Sequence, residues 1–264
     1  MTHDEVLKEL SYTVAMANEL IQRSRYELTK TEQKAVLYMA SKIKPDDEPN
    51  TRYVFSIKAF CQICNLNKNS GTYYQYLQDM MLGLAKQPLK IPHKDGVVIT
   101  HWFNDVLISR TSDRIVITFS DYLKPFLFAL KNRYTSFYLE NVLPMKSGYG
   151  IRIYEYIKSR SYNERKFMIS LDELRAAVGC EGRYNQFSEL RIYVIEPALK
   201  DINTFTDIKV EYKAIKSGKK VSCVEFSIIP FDEFDATDRH LNRIDALGLR
   251  ETAKEPDMLD DLPY

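Results

Sequence analysis

Val178–Asn203 reads VGCEGRYNQFSELRIYVIEPALKDIN. From Phe187 onward, the apolar residues Phe187, Leu190, Val194, Ala198 and Ile202 recur at the spacing of one buried helix face. The entry to that face is polar, with Arg183, Tyr184, Asn185, Ser188 and Arg191 in the turn and first helical turns. Pro197 stands where a helix interior should run. It has no N–H to give the Tyr193 carbonyl, so a kink or interruption is expected about three turns in.

The neighbouring residues give this helix a setting. Upstream, Lys166–Ile169 reads as a short strand, and Ser170 with Glu173 reads as a capping box opening a helix that ends near Gly179. Downstream, Ile208, Val210 and Tyr212 alternate with charged residues. Lys216-Ser217-Gly218-Lys219-Lys220 forms a turn, and Val224, Phe226 and Ile228 alternate on the return. This predicts a β-hairpin.

The first half carries the same order. Val14–Ile21 reads as a short apolar helix, and Thr29 with Glu32 as a capping box before a helix that Pro45 ends. Thr51–Ser56 is expected as a strand and Ile57–Leu66 as a helix. Tyr73–Lys86 is a helix with Tyr73, Tyr76, Leu77, Met80 and Leu84 on one face, and Val97–Ser109 and Arg114–Phe119 are strands. At an offset of 114, Phe55–Phe60 falls on Ile169–Leu174, Tyr73 on Phe187, Tyr76 on Leu190 and Met80 on Val194. The agreement predicts two copies of one supersecondary unit.

A strand, two helices joined by a tight turn, and a hairpin compose a winged helix. The fold expected is therefore α+β, with two tandem winged-helix domains related by internal duplication. Their bounds are residues 1–135 and 136–231, with an acidic, flexible tail over 232–264. In such units the N-terminal residues of the second helix meet base edges in the major groove. Arg183, Tyr184, Asn185, Ser188 and Arg191 occupy that place in the second copy. Arginine suits guanine and asparagine suits adenine. Lys216, Lys219 and Lys220 at the wing tip suit a phosphate backbone. In the first copy the corresponding turn, Asn65–Ser70, includes Lys68 and Asn69. It reads equally as a plain polar loop or as an accessory contact.

Bulk properties agree with a polyanionic partner. The 264-residue chain has a net charge of +1, 45% hydrophobic and 28% charged residues. That charge divides into about +7 over residues 1–231 and −6 over 232–264 by residue count. The start of the chain is too polar for a signal peptide, no apolar run predicts a membrane span, and four cysteines suit a reducing cytoplasm. No catalytic or metal centre is expected, and no cofactor. His3, His93, His101 and His240 are scattered. Gly218-Lys219-Lys220 lacks the first glycine and the hydroxyl of a phosphate-binding loop. Cys61 and Cys64 have no second pair and read as small core residues.

Two sets of residues carry a family resemblance. Asn18-Glu19-Leu20-Ile21 followed by Tyr26–Lys34 (YELTKTEQK) is similar to the opening signature of theta-type plasmid replication initiators, the RepA/RepE-like family. Phe187-x-x-Leu190-Arg191, Val194–Ala198 (VIEPA) and Asp201-Ile202-Asn203 resemble its second signature. The likeness spans about residues 10–230. It implies a plasmid-encoded bacterial protein that binds directly repeated origin sites (iterons), helps open the adjacent duplex and recruits the host initiator and helicase machinery. It also implies a homodimer, formed through the N-terminal domain in equilibrium with monomer, that represses the protein's own promoter. A winged-helix repressor with no replication role is the alternative from a different class. A third reading is a protein-interaction module, which would show no salt-dependent DNA binding.

Overall fold

The computed structural model describes residues 3–48, 50–64, 66, 73–161, 164–230 and 233–249. The chain opens with α1 (His3–Leu10), β1 (Thr13–Ala17), α2 (Asn18–Arg23) and α3 (Lys30–Ala40). Then follow β2 (Tyr53–Ser56), α4 (Ile57–Ile63), α5 (Tyr73–Lys86) and four strands: β3 (Leu89–His93), β4 (Gly96–Thr100), β5 (Phe103–Ser109) and β6 (Arg114–Phe119). The short α6 (Lys124–Leu127) and β7 (Tyr134–Tyr138) lead into α7 (Gly148–Ser161). The second half runs β8 (Lys166–Ser170), α8 (Leu171–Val178), α9 (Phe187–Leu190), a π-helical turn (Arg191–Ile195) and α10 (Glu196–Phe205). It ends with β9 (Lys209–Ser217), β10 (Lys220–Ile229) and α11 (Glu233–Ala246).

The duplication is visible in the sheets. One is ordered β2-β6-β5 and the other β8-β10-β9, both antiparallel. In each, a first strand ends in a serine that caps the next helix. The Ser56 side chain accepts from the Ala59 N–H, and that of Ser170 from the Glu173 N–H. The helices begin at Ile57 and Leu171, and at Tyr73 and Phe187, so the offset of 114 holds.

Several expectations change. Val14–Ala17 is a strand, because it pairs with β7, 117–123 residues away by residue number, which local periodicity cannot reveal. Val97–Ser109 is two strands broken at His101-Trp102. The first of them pairs with β3, where Pro92 had masked the strand signal. The Ser170 cap lacks the reciprocal half of its box, since the Glu173 carboxylate accepts instead from the Tyr156 hydroxyl at 3.0 Å. The Thr29–Glu32 box is complete. Tyr76 is half exposed while Leu190 is fully buried, so that pair does not correspond.

The segment expected as a flexible tail instead begins with α11, docked on α10. The buried Arg239 donates to the carbonyls of Thr206 and Ile208. Arg243 donates to Asn141 Oδ1 at 2.6 Å and to the Phe205 carbonyl at 3.4 Å. A segment poor in apolar residues is thus held by guanidinium groups covering the open carbonyls at the end of α10. Residues 250–264 lie outside the described part.

Helix α7 joins the halves, packing on α2, α3, α8 and α10. Its buried Arg152 donates to the Ala177 carbonyl and the Ile21 carbonyl, both at 3.2 Å, to the Tyr26 hydroxyl, and to Glu155 at 2.8 Å. Burial pushes the Glu155 carboxyl above the usual carboxylate range, against the pull of Arg152. The Arg152 guanidinium also lies over the Tyr26 ring at 4.3 Å. One side chain therefore ties α2 of the first half to α8 of the second. Gly179 adds a close approach: at φ +71° it ends α8, and a Cβ there would sit 2.7 Å from the Tyr26 carbonyl oxygen.

Candidate nucleic-acid interface

The second winged helix presents its polar residues on a turn and a helix start. Residues 179–186 connect α8 to α9. Within them, the Arg183 N–H closes a turn onto the Cys180 carbonyl at 3.0 Å, and Tyr184 takes a left-handed φ of +51°. Non-glycine residues rarely occupy that region unless their surroundings hold them there. Here the Tyr184 ring stacks on Tyr193 with centroids 5.6 Å apart and meets Tyr149 edge-on at 6.1 Å. Burial and the Tyr184 hydroxyl push the Tyr149 phenol up to about 12.

Asn185, Ser188 and Arg191 are exposed along the entry to the helix, the arrangement the polar run predicts. Two of the arginines carry carboxylate partners. Arg183 reaches across to Glu27, in the segment before α3, at 2.8 Å. Arg191 lies 3.6 Å from Glu196. Both pairs are about half exposed, so their own contribution is small and polyanion contact can replace it.

Pro197 acts through the π turn. The Glu196 N–H bonds the Arg191 carbonyl, five residues back, immediately ahead of the proline. The expected interruption is therefore a local widening of a helix that continues from Phe187 to Phe205. In α5 the fully buried Leu77 and Leu84 are seven residues apart. In the second copy the fully buried Leu190 and Ala198 are eight apart. The wide turn absorbs the extra residue and keeps both on the core side. Asp201, also buried, accepts from the backbone N–H groups of Lys146 and Ser147 at 2.8 and 2.6 Å, fastening α10 to the approach to α7.

The wing is the β9–β10 hairpin. Its tip is Gly218-Lys219, with Gly218 at φ +62°, and Ser217 pairs with Lys220. Lys216, Lys219 and Lys220 are exposed and form no ion pair among the described residues, leaving three cations on one tip. The predicted residues thus fall on two elements, the turn and helix start on one side and the wing tip on the other. Lys68 and Asn69 lie outside the described residues.

Other residues beneath or near this surface escaped the sequence reading. Arg175 on α8 donates to carbonyls of the turn. The first copy has its own wing, β5–β6, with Arg110 and Arg114 at its tip and Arg110 over the Tyr74 ring at 4.3 Å. Arginines flanking Thr111-Ser112-Asp113 between two alternating strands were a signal that could have been used. Among the described residues, no group of three or more His, Cys, Asp or Glu side chains could hold a metal, and no helix is long and apolar enough to cross a membrane. Cys61 and Cys64 are buried, and burial raises the Cys64 thiol.

Residues 13–158 match the family described as "Initiator Replication protein, WH1", and residues 170–228 match "Initiator Rep protein, WH2". The chain belongs to the initiator replication protein family. Within that family it is 29% identical to a replication initiation protein of Escherichia coli over 225 residues, which are 81% of this chain and 69% of the relative. The fold is shared with the Pi initiator protein, solved in complex with iteron DNA. The TM-score is 0.67 at 17% identity, over 84% of this chain and 99% of that one. This initiator therefore has two winged-helix domains, and α11 lies beyond both family matches.

Proposed function

We propose that this initiator acts at a plasmid origin by binding directly repeated sites. The second winged helix, residues 136–231, is the main reader. Arg183, Tyr184, Asn185, Ser188 and Arg191 face the major groove. Lys216, Lys219 and Lys220 face phosphate. The first winged helix, residues 1–135, makes an accessory contact that includes Lys68 and Asn69, and it forms the homodimer. The bound monomer helps open the adjacent duplex and recruits the host initiator and helicase machinery. The dimer represses the protein's own promoter. The work takes place in the bacterial cytoplasm, and it needs no cofactor.

The observation that carries this reading is the exposed cationic wing beside a polar helix start, on a fold shared with an initiator solved on iteron DNA. The test is maintenance of an origin fragment supplied with this protein in trans. Replication only in its presence, lost when the repeats are scrambled, is the expected result. Repeat binding without maintenance would instead favour a winged-helix repressor.

A further inference from the structure

We infer that Arg175, on α8 and outside the groove-facing surface, is the positioning residue that sets how the turn 183–186 presents Asn185 and the helix start to DNA. The inference rests on the reading of that turn given above and extends it to a residue that touches no base.

The geometry is specific to a guanidinium. Nε and Nη2 of Arg175 donate to the Tyr184 carbonyl at 3.3 and 3.0 Å, and Nη2 also donates to the Asn185 carbonyl at 3.1 Å. Nη1 is held by Asp172 Oδ1 at 2.9 Å, one turn earlier on the same helix. The Arg175 side chain is 11% exposed, whereas Asp172 is open to solvent. The fork therefore binds two successive carbonyls of the turn from beneath and is aimed by a carboxylate at its other end.

Those carbonyls belong to the strained part of the turn. Tyr184 has a φ of +51°, and its ring is caught between Tyr149 and Tyr193. Rotating its peptide out of the left-handed region would break the Arg175 bonds and the ring stack together. Asn185 is next in the chain, so its side-chain direction follows from the peptide that Arg175 holds. Gln186 then caps α9, its N–H bonded to Glu189 Oε2 at 3.3 Å. Lysine would keep the charge, but one ammonium on a flexible stem cannot span two carbonyls and a carboxylate in a fixed plane. A base contact misplaced by about 1 Å loses most of its value, whereas phosphate contacts elsewhere are unaffected. The signature of a positioning role is therefore lost discrimination without lost non-specific binding.

The experiment uses the full chain and two duplexes: one direct repeat from its own origin, and a scrambled sequence of equal composition. Affinity is read by fluorescence anisotropy across a salt series for the native protein, Arg175→Lys, Asn185→Ala and the double variant. Arg175→Lys is expected to weaken repeat binding roughly ten-fold, to change scrambled binding less than two-fold, and to leave the salt slope unchanged. The double variant should bind the repeat no more weakly than the more affected single one. Full discrimination in Arg175→Lys, with Asn185→Ala impaired, would overturn the inference alone. Equal loss on both duplexes would reduce Arg175 to a folding role and overturn it too. Silence of both substitutions would overturn the reading of the turn along with it.

Discussion

The two winged helices share a frame but not a surface. Their sheets have the same strand order, their capping serines stand 114 residues apart, and their second helices start in register. In the second copy, α10 passes to the wing through residues 206–208, and the wing tip carries lysines that form no ion pair among the described residues. The first copy inserts the β3–β4 hairpin between α5 and its wing, and that hairpin exposes Val97 and Ile99. Its wing tip carries Arg110 and Arg114 beside Asp113, whose main chain anchors Ile57 and whose carboxylate accepts from Ser56 at 2.9 Å. Burial pattern specifies the frame, so duplication preserves it. The surface is free to diverge, so the copies can take different work: one wing tip carries three lysines, and the other carries two arginines, one of them laid over a tyrosine ring.

The contacts that hold the two copies together should be the most sensitive to change. Arg152→Met leaves Glu155 buried without its cation, and loss of a partner of this kind costs about 3–5 kcal/mol. Chemical denaturation should show that loss. A cost near zero would mean that water or a rearranged helix satisfies Glu155. Gly179→Ala comes next. A left-handed alanine and a Cβ against the Tyr26 carbonyl should together remove about 2–4 kcal/mol, read as a lower melting temperature. α4, by contrast, ends at Cys64 with φ −79°, where alanine needs no such backbone. Cys64→Ala should therefore cost less than Gly179→Ala, and the reverse order would break the comparison.

Lys34, on α3, gives a pH test of the same junction. It is buried and donates to the Leu143 carbonyl, and burial, aided by Lys30, lowers its pKa to about 8. Between that value and the ordinary lysine value the unfolded chain holds more protons than the folded one. Stability should therefore rise with pH over that window, by about 1–3 kcal/mol from this group. Lys34→Met should flatten the rise between pH 8 and 10, as measured by urea titration at each pH. An unchanged slope would assign it to other groups.

On the DNA side, Arg191→Ala should weaken binding to the repeat by about 1–3 kcal/mol and relax specificity at one base. Equal loss on random DNA would make Arg191 a phosphate contact. The smallest effect belongs to the wing. Lys219→Ala with Lys220→Ala should reduce the slope of log K against log salt by roughly one to two units, while Arg110→Ala with Arg114→Ala in the other wing should reduce it less. Equal reductions would remove the functional difference drawn between the copies.

What the sequence made legible follows from the range of the interactions involved. The Thr29–Glu32 box, the helix end at Gly179 and the alternation of the β9–β10 hairpin are local, and each is present. The exposed run Asn185, Ser188 and Arg191 was visible as polar positions off a 3.6-residue stripe. Long-range partners were not visible. Val14 becomes a strand only because β7 pairs with it. Arg239 and Arg243 turn a polar segment into a docked helix only because the end of α10 and the residues just after it present open carbonyls. Arg183 and Arg175 were separable only in space: both are arginines near one turn, but one pairs with Glu27 while the other grips the turn's carbonyls. The proline at 197 announced a disturbance, and its form, a π turn accommodating one extra residue, depends on Leu190 and Ala198 both facing the core.

The central claim is that the second winged helix reads repeated origin sites. The most direct measurement is the affinity of the full chain for a duplex bearing its origin's direct repeat and for a scrambled duplex, both at about 0.15 M salt. The account predicts binding to the repeat tighter by at least about a thousand-fold, with most of that ratio lost when Asn185, Ser188 and Arg191 are all changed to alanine. Equal affinity for the two duplexes, or a ratio untouched by the triple substitution, would contradict it.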